Sequence, residues 1–263
     1  MDSVERFPIK RVTRDGKKDS EDIVTKELPL TIILNNIELT TLLCSPADLK
    51  YLAVGFLVSE GFLKGKNDIR KIVVDERRGV VRVETVADKE ISSDILSKRL
   101  ITSGCGRGIS FYSEADVKGQ TKIISETTIS NATIFTLVRE FQHRSQAYRI
   151  TGGVHSAALC DTGSILLFNE DIGRHNAIDK IFGECILRDI SVDDRIIITS
   201  GRVSSEILLK VAKRNIPILI SRSAPTDLGV RLANDLGVTL VGFVRGERMN
   251  VYSEDWRVTT SGK

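Results

Sequence analysis

Residues 195–243 read RIIITSGRVSSEILLKVAKRNIPILISRSAPTDLGVRLANDLGVTLVGF. Three short runs rich in Ile, Leu and Val (195–199, 216–220 and 239–243) alternate with two longer stretches of helical spacing (203–214 and 226–236). Strands alternating with helices at this interval predict a largely parallel sheet covered on both faces, an α/β arrangement. Working upstream, a helix over Arg174–Leu187 precedes this block. Two strands at 154–160 and 165–168 turn across Asp161-Thr162-Gly163. A helix starting near Ser130 carries Phe135, Leu137, Val138 and Phe141. Together these give a C-terminal domain over 128–263.

The first half has a different rhythm and reads as an α+β subdomain over 27–112. Two apolar runs in 28–44 flank Asn35-Asn36, a strand pair with a tight turn. Ser45-Pro46-Ala47-Asp48 reads as a helix start, with Ser45 as N-cap and Pro46 in the first turn. Leu49, Leu52, Phe56 and Phe62 form the helix's inner side. Residues 71–74 and 80–85 read as a hairpin, and 91–100 as a short helix. Residues 113–127 are polar and read as a linker. Residues 1–26, with Arg6, Lys10, Arg11, Arg14, Lys17 and Lys18, read as a flexible basic tail.

The composition is that of an ordinary globular chain: 263 residues, 41% hydrophobic and 28% charged, with 38 basic and 35 acidic side chains. A net charge of +3 gives no field that favours nucleic acid. No apolar run is long enough for a membrane helix, and no apolar leader opens the chain, so a cytoplasmic location is expected. Cys44, Cys105, Cys160 and Cys185 are far apart and form no Cys-x-x-Cys pair, which argues against a disulfide framework and a structural zinc site.

Cys105 stands out, in Thr102-Ser103-Gly104-Cys105-Gly106-Arg107-Gly108. Glycines on both sides leave the sulfur approachable, and Arg107 favours the thiolate, the reactive form. Cys160 and Cys185 lie among apolar residues and read as core, while Cys44 adjoins the helix start. Three loops then share a composition at the ends of successive strands: Ser200-Gly201-Arg202, Ser221-Arg222-Ser223-Ala224-Pro225-Thr226 and Phe243-Val244-Arg245-Gly246-Glu247-Arg248. Arginine beside small or hydroxyl residues, with helix amides following two of the loops, suits phosphate. Such loops lie at the carboxyl edge of the sheet, where α/β folds bind ligands.

The densest polar run is Glu170-Asp171-Ile172-Gly173-Arg174-His175-Asn176, and His155 opens the strand before it. Acidic residues there complement a helix N-terminus, and each histidine alone reads as structural. A zinc deaminase would need His-x-Glu and Pro-Cys-x-x-Cys, but His155 is followed by Ser156-Ala157. A cysteine hydrolase would need a histidine beside Cys105, which the sequence does not fix.

The segments Gly152-Gly153-Val154-His155-Ser156-Ala157, Glu170 through Lys180 (EDIGRHNAIDK) and Thr199-Ser200-Gly201-Arg202-Val203-Ser204 resemble the FdhD family, sulfur carrier proteins needed for formate dehydrogenase activity. The resemblance implies a C-terminal three-layer α/β/α domain of cytidine-deaminase-like fold without its zinc site. It implies that Cys105 receives sulfur from a cysteine desulfurase as a persulfide. That sulfur passes to the molybdenum (or tungsten) bis-guanine dinucleotide cofactor, the bound substrate, before formate dehydrogenase receives it. It also implies a homodimer, and it maps the family's cofactor-binding segment onto Phe243, Val244, Arg245, Gly246, Glu247 and Arg248. Arg202 and Arg222 join Arg245 as candidate phosphate contacts. Gly108 stands where many members have a second loop cysteine, so a relay through Cys105 alone is expected. The alternative expectation is a cofactor-binding chaperone that transfers no sulfur.

Overall fold

The computed structural model describes residues 3–86 and 121–260. The expected helix at 91–100, the Cys105 loop and residues 113–120 of the expected linker lie outside the described residues.

The first residues differ from expectation. Instead of a tail they form a hairpin, β1 (Val4–Thr13) against β2 (Gly16–Thr25), paired in register from Val4↔Thr25 to Thr13↔Gly16. Nearly all of its side chains are exposed. With neither face buried, the apolar alternation that announces a strand is missing. Its base is tied to the body by a hydroxyl pair, Thr25 Oγ1 to Thr151 Oγ1 at 2.8 Å.

The N-terminal unit is a four-stranded sheet in the order β4-β3-β6-β5, where β3 is Leu28–Leu34, β4 Ile37–Cys44, β5 Ile69–Asp75 and β6 Val80–Thr85. Asn35 and Asn36 make the β3–β4 turn with φ of 46° and 66°, the left-handed pair that a two-residue hairpin demands. Helix α1 (Leu49–Ser59) packs on this sheet and is buried from Leu52 to Ser59. Ser45 is not its N-cap. The cap is Asp48, at φ 57° and without a side-chain bond, while the Ser45 hydroxyl accepts from the distant Ile172 amide at 3.1 Å.

The C-terminal unit is a six-stranded sheet in the order β13-β12-β11-β10-β8-β9. Its strands are β8 (His155–Cys160), β9 (Ile165–Asp171), β10 (Ile196–Thr199), β11 (Ile218–Ser221), β12 (Thr239–Arg245) and β13 (Arg248–Ser253). Only β10, β11 and β12 run parallel; their neighbours β8 and β13 are antiparallel. The sheet is therefore mixed rather than largely parallel. Period-2 alternation sorts its side chains. Ala157, Leu159, Ile197, Leu219 and Leu240 face a core shared with α4 (Arg174–Leu187), α5 (Ser205–Ala212) and α6 (Asp227–Leu236). Ala158, Cys160, Ile196, Ile198, Ile218, Ile220 and Val241 face α2 (Asn131–Arg144), through its Ile134, Leu137, Val138 and Phe141. This is a three-layer α/β/α sandwich, with a short α3 (Gln146–Thr151) linking α2 to β8.

The helices expected to start near Ser130 and Thr226 do so, and both residues cap them: Ser130 accepts from the Thr133 amide and Thr226 from the Gly229 amide, each at 3.1 Å. The described part of the expected linker, 121–127, runs along the C-terminal core, where Ile123 is buried and its amide bonds Leu236 O. Below it, β7 (Ile129–Ser130) pairs with β14 (Val258–Thr259).

The two units meet where α1 crosses α4 at a pair of glycines. A Cβ on Gly55 would lie 1.7 Å from Asp179 O, and one on Gly183 would lie 1.9 Å from Tyr51 O. Only glycine allows the two backbones to approach this closely.

Candidate functional site

The polar run at 170–180 bridges the end of β9 and the first turns of α4, and the structure divides it in two. One part is buried and fully engaged. The Asp171 carboxylate accepts from Ser45 N at 3.1 Å, Gly173 N at 2.9 Å and Asn176 Nδ2 at 2.9 Å, and pairs with Lys180 Nζ at 2.8 Å. Both Asp171 and Lys180 are completely inaccessible, and Lys180 also donates to Glu170 O at 3.0 Å. One turn on, Asp179 accepts from Ser59 Oγ at 2.6 Å and from Lys210 Nζ at 2.9 and 2.8 Å. Ser45 and Ser59 belong to the N-terminal unit, so these carboxylates fasten it to α4. Glu170 takes the Ser145 hydroxyl at 2.5 Å beside the start of α3. These groups satisfy one another, as buried charges must.

The other part faces the carboxyl ends of β10 and β11. Arg174 lies over Gly201, where an added Cβ would meet Arg174 Cβ at 2.8 Å and Cδ at 3.1 Å. His175 Nε2 stands 3.1 Å from Glu206 Oε2, in the first turn of α5. His155 Nδ1 is 3.3 Å from Ser200 Oγ. That hydroxyl oxygen also accepts the Ser156 amide at 3.0 Å, and the His155 tautomer sets which partner donates in the Nδ1–Oγ contact. Burial first, then the charges of Arg174 and His175, hold the His155 imidazole below its ordinary protonation range against a smaller opposing pull from Asp171. Neither N-cap here, Gly173 of α4 or Ser204 of α5, supplies a side-chain bond. Sequence reasoning weighed the two histidines as structural and assigned Arg174 no role. The available signal was the position of Arg174 at the first residue of a helix that opens on the carboxyl edge.

The arginine loops expected to hold phosphate do gather on this edge. The β10–α5 and β11–α6 loops are stitched together by Val203 N to Ala224 O at 3.1 Å and Thr226 N to Val203 O at 2.9 Å, and Phe243 N reaches Ser223 O at 3.1 Å. Their side chains differ in availability. Arg202 is exposed. Arg222 is turned onto α2, where its guanidinium lies against the Gln142 side-chain amide, whose oxygen faces it when the amide is oriented to satisfy both groups. In the segment 243–248, Val244 is buried in the core, whereas Arg245, Gly246, Glu247 and Arg248 are exposed around the β12–β13 turn. Phe243 takes φ 54° at an irregularity in the β12–β13 register, a left-handed conformation unusual for a bulky residue. The Arg245 guanidinium sits 5.7 Å from the centroid of its ring.

A model of the FdhD/NarQ family matches residues 25–259. The chain belongs to the FdhD/NarQ family. It is 47% identical over 238 residues to the sulfur carrier protein FdhD of Bacillus pumilus, covering 90% of this chain and 91% of that protein. The FdhD of Bacillus subtilis is 44% identical over the same share of both chains. That of Listeria innocua is 42% identical, covering 98% of this chain and all of that one. The crystal structure of a candidate formate dehydrogenase accessory protein from Desulfotalea psychrophila superposes with a TM-score of 0.83 at 28% identity, covering 98% of this chain and 100% of that one.

For a family whose curated members are named for carrying sulfur, the cysteines matter. Three of the four in this FdhD/NarQ chain are buried: Cys44 and Cys160 completely, Cys185 at 1% exposure. Burial pushes each of these thiols up to about 12, so none offers a thiolate at neutral pH. Cys105 lies outside the described residues. Among the described residues, no helix is long and apolar enough to cross a membrane.

Proposed function

We propose that this protein is a sulfurtransferase that carries sulfur on Cys105 in the service of formate dehydrogenase. The Cys105 thiolate attacks the outer sulfur of a cysteine desulfurase persulfide. The donor's S–S bond breaks, the donor cysteine leaves as a thiolate, and Cys105 holds the sulfur as a persulfide. An acceptor that attacks this outer sulfur takes it and returns Cys105 as a thiolate. In this reading the acceptor is the molybdenum or tungsten bis-guanine dinucleotide cofactor, a substrate rather than a resident group, taken in its reduced state so that the metal supplies the electron pair that converts the sulfane sulfur to sulfide. It is held at the carboxyl edge by Phe243 through Arg248, with Arg202 and Arg222 beside it, in a cytoplasmic homodimer.

The observation that carries the reading is the match of nearly the whole chain to relatives named as sulfur carrier proteins. The burial of Cys44, Cys160 and Cys185 supports it, because it leaves Cys105 to do thiol chemistry. The test is to incubate the protein with a cysteine desulfurase and labelled cysteine and look for a reducible mass gain of one sulfur. Wild type should gain it and Cys105→Ala should not. A label kept by Cys105→Ala removes the assignment. Gly108, at the position where many family members have a second loop cysteine, favours one further reading: a wild type that never labels yet binds guanine nucleotides is a cofactor-holding chaperone.

A further inference from the structure

Among the described residues, five buried side-chain polar atoms make no hydrogen bond, and three of them belong to one corner: Arg174 Nε, Ser204 Oγ and His175 Nε2, the last of which has the Glu206 carboxylate 3.1 Å away. The other two, on Arg195 and Arg214, lie before β10 and after α5, toward the opposite edge of the sheet. Orphaned buried groups are rare in native proteins, and two together, Arg174 Nε and Ser204 Oγ, need a cause.

The corner's charge supplies one. Arg174 lies over Gly201, next to Ser200, which His155 Nδ1 meets at 3.3 Å, and the charges of Arg174 and His175 add to burial in lowering the protonation of His155. The carboxylates nearby are mostly engaged elsewhere. Asp171 pairs with Lys180, Glu170 takes Ser145, and Glu206 stands against His175. Arg174 forms no ion pair among the described residues. The first-turn amides of α4 and α5 add partial positive charge from the same side. Gly201 leaves room for the Arg174 side chain to lie across the β10 end.

We propose that Arg174, His175 and Ser204 form an oxyanion subsite that takes a phosphate-class group of the acceptor, with His155 and Ser200 as its wall. It rests on the nucleotide-bearing acceptor of the proposed function. It is separate from the 243–248 segment, because β10 and β12 stand two strand spacings apart, roughly 10 Å. Arg174, rather than Arg222 with its Gln142 partner, then becomes the principal phosphate contact.

The test is calorimetric titration of the full-length protein with inorganic pyrophosphate in phosphate-free buffer at low salt, with circular dichroism confirming that each variant is folded. Wild type should bind, Arg174→Gln should weaken binding at least about tenfold, and Ser204→Ala should weaken it about threefold. Arg174→Lys should fall between wild type and Arg174→Gln, because it keeps the charge and loses the planar fork. Lys18→Gln on the exposed hairpin should bind as wild type does. Failure of wild type to bind pyrophosphate overturns the subsite. So does loss of binding in Arg245→Gln with Arg174→Gln unaffected. Sulfur labelling of Cys105 in the same preparations separates the two ideas. Labelling without pyrophosphate binding removes the subsite alone, and pyrophosphate binding without labelling removes the carrier reading alone.

Discussion

Asp171 and Lys180 on one side, and Arg174 and His175 on the other, come from a single eleven-residue run, yet they live in opposite circumstances. The first pair is wholly buried, and each partner is matched in charge and hydrogen bonding. The second pair sits at the carboxyl edge of the sheet, where Arg174 Nε has no partner and His175 meets the half-exposed Glu206. Sequence density treats all four alike. Satisfaction of partners separates residues that hold the fold from residues available to a ligand.

The comparison breaks most visibly on the buried side. Lys180→Met strands the Asp171 carboxylate without its cation and should cost about 3–5 kcal/mol in urea unfolding. The double variant with Asp171→Asn should recover much of that loss. A single-variant cost below about 1 kcal/mol would show that the pair is not a structural clamp.

The glycines sharpen the same contrast. Gly183→Ala drives a methyl group into the Tyr51 carbonyl and should cost about 3 kcal/mol, because backbone must move. At Gly201 the overlap is smaller, 2.8 Å to Arg174 Cβ and 3.1 Å to its Cδ, against 1.9 Å at Gly183. Gly201→Ala should therefore cost nearer 1 kcal/mol while displacing Arg174 and weakening pyrophosphate binding. Equal costs for the two would mean that Arg174 is as fixed as the helix crossing.

How much of this was legible beforehand follows from what each element buries. The bounds of α4 could be read directly, because an apolar stripe begins at a loop and its period is helical. The Asn35-Asn36 turn and the helix starts near Ser130 and Thr226 were readable because local chemistry decides them. Ser45 misled for the opposite reason: the residue types that cap helices also reach distant partners, here the 171–172 backbone and carboxylate. Strand direction in β8, β9 and β13 is not written in apolar runs, so a mixed sheet resembled a parallel one. The hairpin β1–β2 buries almost nothing and left no pattern. Within the site, the arginines at strand ends were visible, but the engagement of Arg222 by Gln142 depends on helix packing that no local motif encodes.

A smaller effect is expected from His155. Its folded protonation is depressed below the ordinary 6.5, so as the pH falls through that value the unfolded chain takes up a proton that the folded chain refuses. The associated stability is present above about pH 6.5 and declines as the pH drops toward the depressed folded value. His155→Gln should lessen the loss in urea midpoint between roughly pH 7.5 and 5.5. An unchanged acid slope would show that His155 is not held neutral.

The division between fold-holding and ligand-facing residues is tested most directly by the melting temperature of wild type and Arg174→Gln, each with and without inorganic pyrophosphate. Without ligand the two should melt within about 2 °C, because Arg174→Gln should change stability by no more than about 0.5 kcal/mol. At a hundredfold excess over the wild-type Kd, pyrophosphate should raise wild type by roughly 5–10 °C and Arg174→Gln, binding at least tenfold more weakly, by about half as much or less. A ligand-free Arg174→Gln that melts far below wild type, yet gains as much from pyrophosphate, would place Arg174 with Lys180 among the residues that merely hold the fold.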